Sequence, residues 1–377
     1  MKENYQTLKN CIRLVDERNK DLQTTNLLGI NIDKFFMPSV ANIIGTDLTD
    51  YKLIKRNQFA CNPMHVGRDD RMPIALYQNN EAAIVSPAYF VFEITDIEKL
   101  LPKYAMLWFM RPEFDRECWF YTDSSVRGGI TWDAITDMKL PVPSLDKQMA
   151  IIKAYEVIQN RIDLKRKIND NLEAQMFTLF DDLVAEQLSW ADGTIKDFGE
   201  IISGATPSTA ISDNFTKSGI AWITPRDTTS QNRKFTSHGN ADITKLGYKS
   251  CSTRLMPAGS VLFTSRAPVG FVTIAINELC TNQGFKSIIP FSHIGTAFVY
   301  CFLKRNAQLI ESYGSGTTFL EVSTSTLQSI PVKLPPISVA LKLTHYCKPI
   351  FDAQIAIENE IGSLQETKTL LLSKLVS

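Results

Sequence analysis

The sequence predicts an α+β fold of two repeated domains, each followed by a long helix, with the two helices paired as an antiparallel coiled coil with pseudo-twofold symmetry. Three observations lead to this prediction. Two long stretches carry a heptad pattern of apolar residues, they superimpose without a gap, and short strand-like runs precede each of them. The predicted boundaries are 1–144 for the first domain, 145–187 for the first helix, 188–336 for the second domain and 337–377 for the second helix.

Each long stretch carries apolar residues spaced alternately four and three apart, which is the seam of a coiled coil. Lys165 and Asn169 fill polar places in the first seam, and Gln354 and Lys368 do so in the second. Polar residues in a seam help to fix register and orientation at some cost in stability. The predicted helix-pair interface consists of Ile158, Ile162, Leu172, Met176, Leu179, Leu183, Ile350, Ile357, Ile361, Leu364, Leu371 and Leu375.

The two stretches match at a single shift, because Pro143 falls on Pro335 (335 − 143 = 192) and the seams then coincide. The match extends over roughly 45 residues, which is a strong repeat signal. It contains mismatches, since Ile162 meets Gln354. Two unrelated amphipathic helices would also show apolar seams, but their shared proline start would then need a separate explanation.

Charges at the helix centres support antiparallel pairing. Lys165, Arg166 and Lys167 lie in the middle of the first helix, and Glu358 and Glu360 lie in the middle of the second. In an antiparallel pair these centres face each other, so opposite charges meet. A solvated charged face remains the alternative for any single pair.

The first domain shows short apolar runs separated by turn residues, followed by helical spacing. A basic segment at 124–129 reads as an exposed loop. Strands are predicted at 27–32, 59–61, 82–85 and 90–94, and helices at 97–111 and 113–120.

The second domain repeats this plan. Phe59 aligns with Val261 at a shift of 202 (261 − 59 = 202), so the cores are kept while the loops differ in length. Strands are predicted at 195–202, 220–223, 260–264, 271–276 and 286–289, with a helix at 295–313.

The composition is that of a globular protein. The 40 basic and 40 acidic residues among 377 cancel, so the net charge creates no long-range electrostatic attraction to nucleic acid. Any nucleic-acid surface must therefore be local. The sequence shows neither the apolar core of a signal peptide nor an apolar run of membrane-spanning length, so a cytoplasmic location is expected. Seven scattered cysteines without a CxxC pair predict reduced, mostly buried thiols, and four widely separated histidines argue against a metal site.

No catalytic pattern stands out. The segment 204–208 is too poor in glycine for a phosphate-binding loop, and 62–64 lacks the second proline and the aromatic residue of amino-methyltransferases. Asp69 and Asp70 lack the downstream Glu-x-Lys of nucleases. The loops instead combine Arg and Lys with Ser, Thr, Asn and Gln, which are the side chains that bind phosphates and read base edges.

Four segments of the second domain, together with the proline-marked start of each long helix, resemble the specificity subunits of type I restriction-modification systems. The segments are ISGATPS at 202–208, WITP at 222–225, PAGSVLFTSR at 257–266 and TNQGF at 281–285. The resemblance covers the whole chain. The first domain departs from the pattern, because Ser86-Pro87-Ala88-Tyr89 stands where Asn-Gln-Gly is expected and the Gly-x-Thr-Pro-Ser segment is missing.

The resemblance implies a DNA-binding protein without catalysis of its own. Two target recognition domains would each read one half of a split double-stranded DNA sequence, and the helices would act as the spacer between half-sites. The helices would also dock two modification subunits, which methylate adenine with S-adenosylmethionine, and restriction subunits, which hydrolyse ATP, would join them. No cofactor is expected on this chain, because S-adenosylmethionine, ATP and Mg²⁺ would lie on the partner subunits.

The candidate DNA contacts are basic residues in the loops of both domains. For any one of them a solvated surface charge is the more common role. Trp222, Asn282 and Gln283 are interpreted as structural, and Thr206 and Ser208 as caps. The candidate DNA-binding residues are Arg56, Arg68, Arg71, Arg127, Arg226, Arg233, Lys234 and Arg266.

Two other functions stay open at this point. A coiled-coil scaffold for protein interactions, without DNA readout, would show the same helices. An enzyme with an unrecognised site is disfavoured, because no acid-base or metal cluster is visible in the sequence.

Overall fold

The computed structural model describes residues 5–40, 45–122, 128–185, 187–231, 233–266, 268–316 and 320–374. The chain forms two compact units. The first contains residues 1–163 and 363–377, and the second contains residues 164–362. Each long helix therefore contributes one segment to each unit. In the part of the chain that is described, no helix combines the length and apolarity needed to span a membrane.

Among its described residues, the first unit contains short strands, four short α-helices and the beginning of a long helix. Its strands are β1 Tyr5–Thr7, β2 Ile12–Leu14, β3 Leu28–Ile30, β4 Phe36–Pro38, β5 Lys52–Ile54, β6 Gln58–Cys61, β7 Ile74–Leu76, β8 Ala83–Val85, β9 Phe90–Ile94 and β10 Lys139–Pro141. Its helices are α1 Val66–Asp69, α2 Pro102–Phe109, α3 Pro112–Phe120, α4 Trp132–Asp137 and the long α5 Leu145–Val184.

The second unit repeats these elements and adds several short ones. Its strands are β11 Ala191–Thr194, β12 Gly199–Ser203, β13 Phe215–Thr216, β14 Trp222–Ile223, β15 Phe235–Thr236, β16 Asp242–Ile243, β17 Val261–Phe263, β18 Val272–Ala275, β19 Cys280–Thr281, β20 Lys286–Pro290 and β21 Pro331–Leu334. Its helices are α6 Pro225–Gln231, α7 Lys245–Lys249, α8 Gly295–Arg305, α9 Ala307–Ser312, α10 Thr324–Ser329 and the long α11 Ile337–Ser373.

The main sheets of the two units have the same strand order. The first sheet runs β2-β9-β6-β7, and the second runs β12-β20-β17-β18 with β15 added at the end. The register agrees as well, because Phe59 pairs with Leu76 and Phe92. Its predicted equivalent Val261 pairs with Ile274 and Ile288. The predicted α+β class and the internal repeat are confirmed.

A two-stranded antiparallel ribbon closes each domain just before its long helix. In the first unit β1 pairs with β10, with Tyr5 opposite Pro141. In the second unit β11 pairs with β21, with Ala191 opposite Leu334. The first and last strands of each domain therefore lie side by side where the helix begins.

The helices pair in antiparallel fashion within each unit. In the second unit Lys165 Nζ lies 2.6 Å from Glu360 Oε2, and Gln354 Nε2 donates 3.3 Å to the Asn169 carbonyl, so numbers rise on α5 as they fall on α11. In the first unit Lys368 Nζ donates 2.9 Å to Gln159 Oε1. The polar seam positions thus meet partners on the opposite helix.

The predicted seam residues face inward to different degrees. Ile162, Met176 and Ile357 are buried. Leu375 lies outside the described residues. The remaining members are partly buried, namely Ile158, Leu172, Leu179, Leu183, Ile350, Ile361, Leu364 and Leu371.

Two predicted elements differ from the structure in type or continuity. The run 195–202 was expected to be one strand, but Ile195–Phe198 forms a 3-10 turn held by a reciprocal cap between Thr194 and Asp197. Strand β12 begins only at Gly199. The helix expected at 295–313 is divided at Asn306, whose Nδ2 donates 2.8 Å to the Phe302 carbonyl.

Candidate nucleic-acid interface

The four sequence segments that define the second domain lie together and form one frame. The Ala205 N–H donates 3.0 Å to the Thr281 carbonyl, and the Asn282 N–H donates 3.0 Å to the Ile223 carbonyl. The Ser265 N–H donates 2.8 Å to the Gly284 carbonyl. These hydrogen bonds join segments that lie up to 76 residues apart in the sequence (281 − 205 = 76). They satisfy backbone groups that would otherwise be left without partners.

Two glycines allow this close approach. A Cβ on Gly204 would lie 2.1 Å from the Asn282 carbonyl oxygen and 2.2 Å from that of Thr281. A Cβ on Gly284 would lie 2.6 Å from Pro225 Cγ. Only a residue without a side chain fits at either place, so the motif glycines serve the frame.

The polar side chains of the motifs also hold the frame. Asn282 Oδ1 accepts a 2.8 Å hydrogen bond from the Gly284 N–H, and Trp222 Nε1 donates 3.1 Å to the Ala205 carbonyl. The Thr206 hydroxyl donates to Gln283 Oε1. These contacts agree with the structural roles interpreted from the sequence for Trp222, Asn282 and Gln283.

Asp227 holds the start of α6 and the loop beside it. Its Oδ2 accepts hydrogen bonds from the N–H and the hydroxyl of Thr224, at 2.8 and 2.7 Å. Its Oδ1 accepts a 3.0 Å bond from the Asn240 N–H. Arg226 stands next to this buried anchor and is exposed, so the helix presents its guanidinium to solvent from a fixed backbone.

Arg266 lies at another edge of the frame. Its Nη1 is 3.9 Å from Glu321 Oε2, and Lys286 Nζ is 3.7 Å from the other oxygen of the same carboxylate. One carboxylate therefore faces two cations, which leaves local positive charge available to an anionic ligand. Burial lowers the pKa of Lys286, and its contact with Glu321 acts in the opposite direction.

Lys234 is a correction to the sequence prediction. Its side chain is buried, because Nζ lies 2.6 Å from Glu173 Oε2 and donates 2.8 Å to Gln354 Oε1. Burial lowers the pKa of this ammonium, although Glu173 opposes the shift. An amine enclosed in this way cannot reach DNA, so its role lies within the protein.

Arg233 also points toward a long helix. Its Nη2 lies 3.1 Å from the place that a Cβ on Gly362 would occupy. Burial raises the pKa of Glu358 on this long helix, and the positive charge of Arg233 nearby opposes that shift. Arg233 therefore lies beside the long helix, near Gly362 and Glu358.

Three of the four predicted basic residues of the first domain are described, and each is exposed and has a local partner. Arg56 Nη1 donates 2.5 Å to Asn80 Oδ1, and Arg71 Nη1 donates 2.9 Å to Asp33 Oδ1. Arg68 forms a two-pronged contact of 2.6 and 2.8 Å with Asp69. Such exposed pairs are weak, so a phosphate can compete for these guanidinium groups. Arg127 lies outside the described residues.

Two further candidates were missed in the sequence. Lys245 and Lys249 are both exposed on α7, four residues apart and hence on one helix face. The spacing in TKLGYK could have indicated this. A helix of five residues is too short to show a clear apolar period, and so no helix was predicted there.

The described residues offer little for catalysis. Among them, no three His, Cys, Asp or Glu side chains come together as a possible metal site. All seven cysteines are free thiols, and Cys251 is partly buried while the others are buried. Burial raises the pKa of Cys61, Cys118 and Cys301 far above that of a free thiol, which suppresses their nucleophilic form. The prediction that the thiols are mostly buried is confirmed.

The fold is that of a type I restriction-modification specificity subunit. The S subunit of this system from M. genitalium has a crystal structure that superimposes with a TM-score of 0.58 and 16% identity, covering 99% of this chain and 96% of that one. At this identity the likeness shows the fold alone.

Sequence comparison identifies the family of the second domain and the helix that follows it. Residues 188–364 match the type I restriction modification DNA specificity domain. This stretch of the chain belongs to that domain family, and the resemblance found in the sequence is confirmed.

Several individual relatives are specificity subunits. The type I restriction enzyme MjaIX specificity subunit of Methanocaldococcus jannaschii is 39% identical over 148 residues, which is 39% of this chain and 34% of the relative. The HindI specificity subunit of Haemophilus influenzae is 27% identical over 191 residues, covering 50% of this chain and 41% of the relative. The matched stretches thus span only about a third to two fifths of those proteins. The putative MjaX specificity subunit of M. jannaschii is 22% identical over 362 residues, covering 90% of this chain and 81% of the relative.

Proposed function

We propose that this chain is the DNA-recognition subunit of a type I restriction-modification complex. Each domain reads one half of a two-part target in double-stranded DNA, and the paired helices set the distance between the halves. The observation that carries this proposal is the repeat: the same four-stranded order, with the same register, recurs ahead of two long helices. One of the two repeats belongs to the DNA specificity domain family.

Four exposed arginines and the partly exposed Arg266 supply the DNA contacts in this proposal. These residues are Arg226 and Arg266 in the second domain and Arg56, Arg68 and Arg71 in the first. Arginine forms paired hydrogen bonds with phosphates and with guanine edges. A neutral net charge is compatible with this role if the contacts are local and partner subunits add phosphate contacts.

The helices also carry apolar side chains outside their seam. Val157, Leu164 and Ile168 of α5 and Ile337 and Leu341 of α11 are exposed. Exposed apolar residues at helical spacing suit the docking of a partner helix. In the proposed complex these surfaces bind two modification subunits, and restriction subunits join that core.

The chemistry belongs to the partners in this proposal. The modification subunits transfer a methyl group from S-adenosylmethionine to adenine, and the restriction subunits use ATP and Mg²⁺. This chain binds and orients DNA and supplies no catalytic group.

The test is methylation mapping by long-read sequencing in cells that produce the chain with its cognate modification subunit. The expected result is methyl-adenine in a two-part motif with a fixed gap, which disappears when the chain is omitted. A contiguous motif would mean that only one domain reads DNA. Identical methylation with and without the chain would contradict the proposal.

The alternative is a coiled-coil scaffold for protein interactions without DNA readout, which the exposed helix surfaces favour. Salt separates the two functions. DNA affinity through several phosphate contacts falls steeply as salt rises, whereas apolar protein docking does not.

A further inference from the structure

A buried polar cluster joins the second domain to its two helix segments. We call the residues Lys234, Glu173, Gln354, Tyr300 and Glu358 the junction cluster. Lys234 directly precedes the terminal strand β15 of the main sheet, and its side chain is 6% exposed. The side chain of this lysine thus extends from the edge of the sheet into the space between the two helix segments.

Lys234 contacts both helices at once. Its Nζ lies 2.6 Å from Glu173 Oε2 on α5 and donates 2.8 Å to Gln354 Oε1 on α11. Its backbone N–H donates 3.0 Å to Glu358 Oε1, also on α11. The sheet edge is therefore fixed by side chain and backbone together.

The partners of Lys234 are themselves held in place. The Tyr300 hydroxyl on α8 donates 2.7 Å to the second oxygen of Glu173. Gln354 Nε2 donates 3.2 Å to Glu173 Oε2 and 3.3 Å to the Asn169 carbonyl. Most donors and acceptors of the cluster already have partners. If the domain shifted along the helices, some of these buried polar groups would lose their hydrogen bonds.

Aromatic rings complete the enclosure of the ammonium. Its nitrogen lies 4.4 Å from the centroid of the Tyr300 ring and 4.5 Å from that of Phe351. Such contacts stabilise a cation inside a poorly solvated site. They also restrict its position to the space between the two rings.

Polar and apolar contacts differ in how they respond to sliding. Apolar surfaces can repack after a small displacement, whereas a buried charge displaced from its carboxylate loses most of its compensation. Hydrogen-bonded buried groups can therefore specify one arrangement, as polar residues specify register in coiled coils.

We propose that Lys234 is a positioning residue that fixes the seating of the second recognition domain on its helices, and thereby sets how strictly the protein discriminates the gap between half-sites. This inference rests on the proposed function. In this proposal the junction cluster determines how much variation in gap length is tolerated, and the exposed loops recognise the bases.

The test uses the full chain with its modification subunit and a DNA library in which the gap is one base pair shorter, correct or one base pair longer. Lys234→Met removes the charge and keeps most of the apolar stem. We expect methylation at the altered gaps to rise about tenfold relative to the correct gap, equivalent to ~1.4 kcal/mol, while the recognised bases stay the same. Glu173→Gln should shift the ratio in the same direction by a smaller factor.

Lys196→Met is the matched control, because Lys196 is an exposed lysine of the same domain on the 3-10 turn Ile195–Phe198. It should leave the ratio unchanged. Equal loss of methylation at all three gaps in Lys234→Met would overturn the positioning role, and so would an unchanged ratio. If Lys234→Met does not accumulate, Glu173→Gln decides, since it preserves shape. Failure of the proposed function would appear separately, as the absence of a two-part motif with the wild-type chain.

Discussion

The two domains share one fold but meet their helices through different chemistry. Ile162 in the first unit and Gln354 in the second occupy the same place in the repeat (354 − 162 = 192). Both are almost fully buried, at 1% and 0% exposure. Ile162 buries an apolar side chain, whereas Gln354 binds Lys234 and the Asn169 carbonyl.

One buried lysine from each domain shows the same contrast. Lys34 in the first domain pairs with Asp115 at 2.7 Å and donates to the Phe109 carbonyl, so its contacts stay inside the domain. Lys234 extends to both long helices. The two domains thus share a backbone fold but not these polar contacts. A repeated fold therefore does not imply that both domains contact the long helices in the same way.

The largest expected effect comes from removing the carboxylate that compensates Lys234. Glu173→Leu leaves a buried ammonium without its anion, and we expect the free energy of unfolding of the second unit to fall by about 3 kcal/mol. Urea unfolding of the full chain measures this change. The repeat supplies the control, because Gln365 is the equivalent residue in the first unit and is exposed, so Gln365→Leu should change the value by less than ~0.5 kcal/mol. Equal effects of the two substitutions would remove the contrast.

A smaller effect is expected when the apolar seam receives the polar residue of its counterpart. Ile162→Gln buries an amide without the partners that surround Gln354, and it should lower the free energy of unfolding of the first unit by about 2 kcal/mol. The measurement is the same urea titration, with Val157→Gln on the exposed face of the helix as the control. A cost near zero for Ile162→Gln would show that this seam also accepts polar groups.

The smallest effect is expected at the ion pair between the helix centres. Lys165 and Glu360 are each about a quarter exposed, at 27% and 28%, so water screens their attraction. Lys165→Met should lower the free energy of unfolding by about 0.5 kcal/mol, and the loss should shrink in high salt. Lys167→Met, at an exposed neighbouring position, provides the comparison. A salt-independent loss would indicate that packing of the lysine stem, and not its charge, is responsible.

The helices and the repeat could be predicted from the sequence because their signals are periodic and local. The proline-marked starts preceded α5 and α11, which begin at Leu145 and Ile337. The alignment of Phe59 with Val261 also agreed with the strand register, since core strands keep their apolar pattern. Strand order was not predictable in the same way, because alternation shows which side chains face the core but not which strands are neighbours.

The candidate contacts could be predicted only in part. Lys234 and Arg226 both occur in polar segments rich in threonine, and nothing local distinguishes them. The partners that bury Lys234 lie 61 and 120 residues away in the sequence, at Glu173 and Gln354. A charge is assigned to the surface or the interior only when the long-range fold brings such partners to it.

The ribbons β1–β10 and β11–β21 have a consequence for how such a protein can change over evolutionary time. Because each ribbon pairs the first and last strands of a domain, everything between them leaves and returns at one place beside the helix start. Insertions, deletions or wholesale exchange of the intervening segment by recombination leave the helix start where it was. The segment inside each ribbon can therefore change while the support beneath it stays the same. Under the proposed function, a new DNA preference can then arise without any change in the helix surfaces.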